Sequence, residues 1–228
     1  MRRVISLWLP RFATERLRRD PQSHRSAPRR EGPLVLTTES HARLRITAVN
    51  QSAERAGLRP GMALADARAI LPNLVVRPAD QAGDQKALIR LADWCGRYSP
   101  WVSAGGVSAG GVSAELKDSL DAPRMETGGG AGIWLDATGC AHLFGGEEAM
   151  LHDMTQRIAG LGFSMRAVMA DTPGCAWAVA RHVQNGRSSI VVPTGETRAA
   201  LAPLPTSALG IGEAMSLELH GLGLKRIA

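Results

Sequence analysis

One segment near the middle of the 228-residue chain constrains the fold more than any other: residues 132–146, with the sequence GIWLDATGCAHLFGG. Its first five residues predict a short strand, Thr138 and Gly139 predict a turn, and residues 141–144 predict a second strand. The closing glycine pair precedes two glutamates, and acidic side chains in a first helical turn stabilise the helix dipole, so a helix is predicted next. We therefore expect a sheet built around this hairpin, whose central side chains decide the chemistry.

The regions on either side also have the patterns of strands and helices. An apolar run at residues 4–9 predicts a strand covered on both faces, and Pro10 is typical of the start of a helix, here a basic one over residues 11–19. Thr172 followed by Pro173 predicts another helix N-terminus. Further strands are predicted at residues 34–37, 74–76, 163–170 and 189–192. Further helices are predicted at residues 46–57, 63–71, 80–98, 147–161 and 172–183. The helix over residues 80–98 is amphipathic, and its buried stripe is predicted at Leu88, Leu91, Ala92 and Cys95. This order predicts an α+β fold, with an antiparallel sheet and helices on one face, in a ferredoxin-like arrangement.

The last part of the chain has a separate helical character. Residues 194–201 begin it, and the sequence LGIG at residues 209–212 is typical of a glycine hairpin between two helices. The pattern is still helical at Ala228, which suggests that the chain is a fragment.

Residues 102–132 lose all periodicity. VSAGG at residues 102–106 is repeated at once at residues 107–111, and three further glycines follow at residues 128–130. Such a composition buries too little apolar surface to offset its chain entropy, so a mobile insertion is expected.

Charge is unevenly distributed along the chain. The 27 lysines and arginines exceed the 21 acidic residues, which gives a net charge of +6, and the arginines are concentrated in the first 45 residues. This skew favours a polyanionic partner, although a solvated basic surface is an equally good interpretation.

The cysteines and the hydropathy pattern exclude other classes. Cys95, Cys140 and Cys175 are odd in number and lack close spacing, so neither a disulfide framework nor a thiolate zinc site is indicated. No apolar run has the length of a membrane span. We expect a cytoplasmic protein.

Several stretches, in the right order along the chain, resemble the Y-family translesion DNA polymerases. Residues 46–62 and 70–73 are similar to the fingers of these enzymes, residues 134–136 to the end of their palm hairpin, and residues 209–212 to their thumb hairpin. The motifs LWLPRF, from Leu7, and LDATGCAHLFGG, from Leu135, resemble most closely the mutasome subunits of the ImuB type.

The resemblance covers essentially the whole chain and implies a domain organisation. It implies a ferredoxin-like palm at residues 1–10 and 75–192, and a small fingers subdomain at residues 11–74. A helical thumb with a helix-hairpin-helix is implied at residues 193–228, while the little finger and the C-terminal tail are expected to be absent.

The resemblance also identifies the positions at which a polymerase carries its catalytic groups. Phosphoryl transfer needs two divalent ions, which clustered carboxylates hold, and the family positions correspond to Leu7, Ala131 and Gly132, with Leu9 next on the inner face. None of these side chains binds a metal ion. We therefore expect no enzyme activity, no metal site and no cofactor.

A second part of the family's machinery is also replaced. The family holds the incoming triphosphate with a tyrosine and an arginine on the fingers, and Gln51 and Glu54 stand at those positions. Because Glu54 would repel a triphosphate, no nucleotide site is expected. The alternative, an active polymerase that uses displaced carboxylates, depends on acidic residues of the insertion, which are Glu115, Asp118, Asp121 and Glu126.

The resemblance implies a role as an inactive adaptor in damage-induced (SOS) mutagenesis and translesion synthesis. The expected DNA-binding residues are Gly210, Ile211, Gly212, Lys225 and Arg226, because glycine hairpins present backbone N–H groups to phosphates. The implied partners are a DNA primer-template, the sliding clamp, an ImuA-type protein and an error-prone C-family DNA polymerase, at the bacterial nucleoid. A ferredoxin-like module unrelated to DNA is the remaining alternative.

Overall fold

Two β-sheets organise the chain in a computed structural model, which describes residues 2–19, 32–40, 43–105, 130–183 and 185–228. The larger sheet has five strands, namely β1 (Val4–Leu9), β5 (Val102–Gly105), β6 (Ala131–Asp136), β7 (Arg166–Ala170) and β8 (Ser189–Val191). Their order is β5-β6-β1-β7-β8, so β1 is central, between antiparallel neighbours β6 and β7. The last pair, β7 with β8, is parallel, so the predicted purely antiparallel sheet is wrong at this edge.

Helices cover both faces of this sheet, whereas the sequence analysis expected them on one face. One face packs against α1 (Phe12–Arg19), α4 (Gln81–Cys95) and α5 (Glu147–Gly160), and the other against α6 (Pro173–His182) and α7 (Thr197–Leu201). The reason is the composition of β1, whose Ile5, Leu7 and Leu9 point to the first face while Val4 points to the second. A central strand that is apolar at successive positions needs cover on both sides.

Local helix signals are confirmed. Thr172 caps α6 by accepting a hydrogen bond from the Cys175 N–H at 3.3 Å, and Pro173 is the first residue of that helix. The predicted apolar stripe of α4 is buried as expected.

The smaller sheet contains β2 (Leu34–Ser40), β3 (Arg43–Val49) and β4 (Val75–Pro78) in the order β3-β2-β4, and carries α2 (Gln51–Arg55) and α3 (Leu64–Ile70). The predicted helix over residues 46–57 is therefore wrong in its first half. Ile46, Thr47 and Val49 belong to a strand, because β-branched side chains pack well on a pleated surface. The helix begins only after Asn50, whose side chain accepts a hydrogen bond from the Ala53 N–H at 2.9 Å.

The strand predicted at residues 74–76 exists, and it belongs to this smaller sheet. It pairs in parallel with β2, where Val35 is opposite Val76. The smaller sheet therefore extends past the boundary at residue 74 that the resemblance implied.

The central segment begins with a strand as predicted but continues differently. Ala141–Phe144 forms a 3-10 helix instead of a second strand. Both edges of β6 are already paired, with β5 and with β1, so no edge is left for a hairpin partner. Gly145, with φ of 83°, ends the short helix in the left-handed region that glycine favours, and α5 then begins as predicted.

The predicted insertion is ordered at its start, because residues 102–105 form β5 against β6. The rest of that prediction, residues 106–129, lies outside the described residues. The C-terminal part contains a 3-10 helix at Thr206–Leu209 and α8 (Glu213–Gly221). The chain does not end in a helix, since Arg226 forms an antiparallel bridge with Pro205. Among the described helices, none is long and apolar enough to cross a membrane.

Candidate functional site

The strand register brings the three candidate catalytic positions together at one end of β1 and β6. Leu7 is opposite Ile133, Trp8 is opposite Gly132, and Leu9 is opposite Ala131. The candidate positions therefore lie close together on two adjacent inner strands of the larger sheet.

The face towards α4 and α5 is a closed apolar core at these positions. Leu7, Leu9 and Ala131 are 0% exposed and belong to the same cluster as Leu88 and Met150. An ionised carboxylate at any of the three positions would lie away from water, where an unpaired charge is very costly. These residues can hold the sheet together, and they cannot hold a cation.

The opposite face carries a cation where the resemblance implies an acid. A Cβ atom placed on Gly132 would lie 3.7 Å from Nη2 of Arg181, so the guanidinium borders the space that a side chain at residue 132 would occupy. The same guanidinium lies 5.6 Å from the ring centre of Trp8 and 4.7 Å from that of Trp177. Burial lowers the pKa of Arg181 to about 9.

Two carboxylates near the larger sheet, Glu147 and Asp171, have structural partners. Arg3 donates two hydrogen bonds to Glu147, at 2.7 and 2.6 Å, and one to Asp171 at 2.7 Å. Burial of the guanidinium opposes its charge, but these bonds outweigh the burial and raise the pKa of Arg3. Asp171 also accepts a hydrogen bond from the Gly195 N–H at 2.7 Å, which together with Arg3 lowers the pKa of Asp171.

Asp136 lies at the wrong end of β6 to replace the missing ligands. It lies five positions along the strand from Ala131, or roughly 17 Å in extended backbone. Its carboxylate accepts a hydrogen bond from the Thr138 N–H at 3.0 Å and lies 3.8 Å from Arg2. Across the described ranges, no group of three His, Cys, Asp or Glu residues could hold a metal ion. The four acidic residues proposed as displaced ligands, at 115, 118, 121 and 126, fall outside those ranges.

The candidate nucleotide positions lie on α2 of the smaller sheet. Gln51 is exposed at its first position, and Glu54 accepts a hydrogen bond from Arg11 at 2.9 Å. Arg11 comes directly before α1, which packs on the larger sheet, and Glu54 lies in α2 of the smaller sheet. The ion pair therefore links the start of α1 to α2. The acidic group at position 54 therefore has a structural partner in Arg11.

The candidate DNA-binding residues lie at the two ends of the 3-10 helix Thr206–Leu209. Gly210 and Gly212, with φ of 67° and 82°, link this helix to α8, and Ile211 between them is 39% exposed. Lys225 and Arg226 pair with the other end, where the Lys225 carbonyl accepts a hydrogen bond from the Thr206 N–H at 3.3 Å. The glycine hairpin at residues 210–212 and the basic residues 225–226 are therefore about 8 Å apart, the length of a four-residue 3-10 helix.

Two arginines beside the larger sheet were not predicted from the sequence as functional residues. Arg3 was counted only as part of the basic N-terminal region, and Arg181 was not singled out. A weak signal existed for Arg181, because it follows eight apolar residues of α6 and lies four residues after Trp177, and residues with this spacing share one face.

Comparisons with known proteins agree with this architecture. The sequence pattern of the impB/mucB/samB family matches residues 22–181. The chain is 42% identical over 171 residues to the protein ImuB of Caulobacter vibrioides, a match that covers 75% of this chain and 32% of the relative. The chain therefore spans about a third of the length of this curated relative.

Solved structures show the same fold at low sequence identity. DinB from Sulfolobus solfataricus is similar with a TM-score of 0.68 at 17% identity. An insertion ternary complex of Dbh DNA polymerase is similar with a TM-score of 0.72, also at 17% identity. Each match covers 98% of this chain and 58% of the polymerase chain.

Proposed function

The chain belongs to the impB/mucB/samB family of Y-family polymerase-like proteins, and from this premise we propose that it is a catalytically inactive adaptor in damage-induced mutagenesis and translesion synthesis. It binds a DNA primer-template without extending it. In this proposal the larger sheet corresponds to the palm, the smaller sheet to the fingers, and residues 193–228 to a thumb with a helix-hairpin-helix. The nucleoid location expected from the sequence follows from the DNA partner.

One observation carries the proposal. The positions that would hold two metal ions are Leu7 and Ala131, which are fully buried in a core, and Gly132, which faces Arg181. Phosphoryl transfer depends on clustered carboxylates that hold divalent ions, and here one face is apolar and the other is cationic. The altered positions Gln51 and Glu54 support the same conclusion independently, since an acidic side chain disfavours a triphosphate.

DNA binding is proposed for the surface formed by Gly210, Ile211, Gly212, Lys225 and Arg226. Backbone N–H groups and cations contact phosphates without regard to base sequence. By family resemblance, the further partners are the sliding clamp, an ImuA-type protein and an error-prone C-family polymerase that carries out the synthesis.

Primer extension on a damaged and an undamaged template tests the inactive role. We expect no nucleotide incorporation with Mg²⁺ or Mn²⁺, under conditions in which an active Y-family polymerase extends the same primer. Incorporation that disappears when an acidic residue between 115 and 136 is changed to its amide would contradict the proposal and support an active polymerase instead.

Fluorescence anisotropy with a labelled primer-template tests the DNA-binding part. We expect binding that weakens steeply with salt, because neutralised phosphates release counterions. No retention on DNA even at low salt would support a module unrelated to nucleic acids.

A further inference from the structure

Arg181 is a charged side chain without a described counter-charge. Its Nε and Nη1 atoms are inaccessible to water and have no hydrogen-bond partner among the described residues. The indole Nε1 of Trp177, beside it, is in the same condition. Buried polar groups are nearly always satisfied, so donors left unpaired in this way indicate that a ligand supplies the acceptor.

A second guanidinium increases the positive charge of this place. Arg166 lies 5.7 Å from the ring centre of Trp8, and Arg181 lies 5.6 Å from it. Arg166 donates hydrogen bonds to the carbonyl oxygens of Ala180 and Val183, so its position is fixed. The aromatic ring stabilises both cations in part, but no carboxylate contacts either of them within the described part of the chain.

Gly132 leaves space beside this pair. The position of a Cβ atom on Gly132 is 3.7 Å from Arg181 Nη2 and 3.6 Å from the Leu7 carbonyl oxygen, which are ordinary contact distances. An atom in that space would touch the guanidinium without a clash. Arg181 as a residue is only partly buried, and the atom that borders this space, Nη2, is not one of the two nitrogens that are inaccessible to water and unpaired.

We infer that Arg181 and the open position at Gly132 form an oxyanion site that takes a phosphate group. Guanidinium groups bind phosphate through charge-assisted hydrogen bonds, which are among the strongest that proteins make. The sheet centre has therefore changed from the cation-binding role that the resemblance implies to an anion-binding role. The phosphate comes either from the medium or from the backbone of a primer-template, and only the second source depends on the proposed function.

Inorganic phosphate is the probe, with sodium chloride at the same ionic strength as its reference. We expect phosphate to raise the thermal midpoint of the full chain and to change its tryptophan fluorescence with saturation, because Trp8 and Trp177 contact the guanidinium. Arg181→Gln should weaken phosphate binding about tenfold or more, the value of one hydrogen bond to a charged group. Equal responses to phosphate and chloride, or an unchanged response in Arg181→Gln, would overturn the inference.

Gly132→Glu provides an independent test that keeps Arg181 in place. Its carboxylate should reach the guanidinium, raise the thermal midpoint and abolish the response to phosphate, whereas the neutral control Gly132→Gln should do neither. A destabilised Gly132→Glu variant that still responds to phosphate contradicts the inference, even if Arg181→Gln fails to fold.

DNA binding then identifies the source of the phosphate. If Arg181→Gln lowers primer-template affinity and reduces the salt slope by about 1, the ligand is a backbone phosphate. If DNA binding is unchanged while the response to inorganic phosphate is lost, the ligand is free phosphate. Failure of the chain to bind DNA would refute the proposed function and leave the phosphate response intact.

Discussion

A carboxylate restored at position 7 should destabilise the protein instead of recovering a metal site. Leu7 is fully buried between the larger sheet and its helices. Truncation of a buried leucine alone costs about 2–5 kcal/mol of unfolding free energy. The new carboxyl of Leu7→Asp must also stay protonated in the folded protein, because an ionised group there has no partner.

The cost of keeping the new carboxyl group protonated in the folded protein increases as the pH rises. The folded protein raises the pKa of the new carboxyl, so stability is lost as the pH rises above the ordinary value of about 3.9, by about 1.4 kcal/mol per pH unit. At pH 7 this adds about 4 kcal/mol, and the total of about 6–9 kcal/mol approaches the whole stability of a typical domain, about 5–15 kcal/mol. Between pH 5 and pH 7 the variant should lose about 3 kcal/mol.

Urea unfolding followed by circular dichroism at several pH values measures this loss, with Leu7→Asn as the matched neutral control. Leu7→Asn should carry the packing cost without the additional pH dependence. Two results would refute the reasoning: identical pH slopes for the aspartate and asparagine variants, or saturable Mn²⁺ binding by Leu7→Asp with recovery of primer extension.

Three further predictions follow from the Arg3 ion pairs, the half-buried His182 and the basic C-terminal surface. Arg3→Met should lower the unfolding free energy by about 3–5 kcal/mol, because it removes the partner of Glu147 and Asp171. The control Arg68→Met, at an exposed position of α3, should change it by less than about 0.5 kcal/mol in the same urea titration. Burial and a neighbouring arginine lower the pKa of His182 below its ordinary 6.5. Because the unfolded chain therefore takes up the proton first as the pH falls, the free energy of unfolding should decrease below about pH 6.5. His182→Gln should flatten this part of the stability–pH profile, and an unchanged profile would contradict the assignment. Lys225→Ala should weaken primer-template binding and reduce the slope of log affinity against log salt concentration by about 1. The control Lys86→Ala, on α4, should leave the affinity and the slope unchanged. Equal effects of the two variants would disprove a specific C-terminal DNA-binding surface.

Local patterns were sufficient to predict several elements. The apolar run at residues 4–9 indicated a strand covered on both faces, and the structure has helices on both faces of β1. The stripe of α4 and the Thr172 cap of α6 were also predicted correctly. These signals depend on the spacing and capping chemistry of neighbouring residues, which the sequence contains directly.

Other elements depended on whether a partner strand with a free edge was available elsewhere in the fold. Residues 141–144 read as a strand, but β6 has no free edge, so the segment forms a 3-10 helix. The region around Ile46 read as a helix because its apolar spacing fits either structure over a few residues. Pairing with β2 decided in favour of a strand.

The lack of a carboxylate at positions 7, 131 and 132, where the resemblance implies acidic residues, can be read from the sequence alone, since a side chain without a ligand atom binds no metal in any fold. The cationic site is different, because Trp8 and Arg181 are far apart in the chain and no spacing rule connects them. Only the packing of α6 on the larger sheet brings the guanidinium to Gly132. Whether a position can bind a metal ion follows from the identity of a single residue, whereas a buried charge beside that position requires side chains from separate elements to meet in three dimensions.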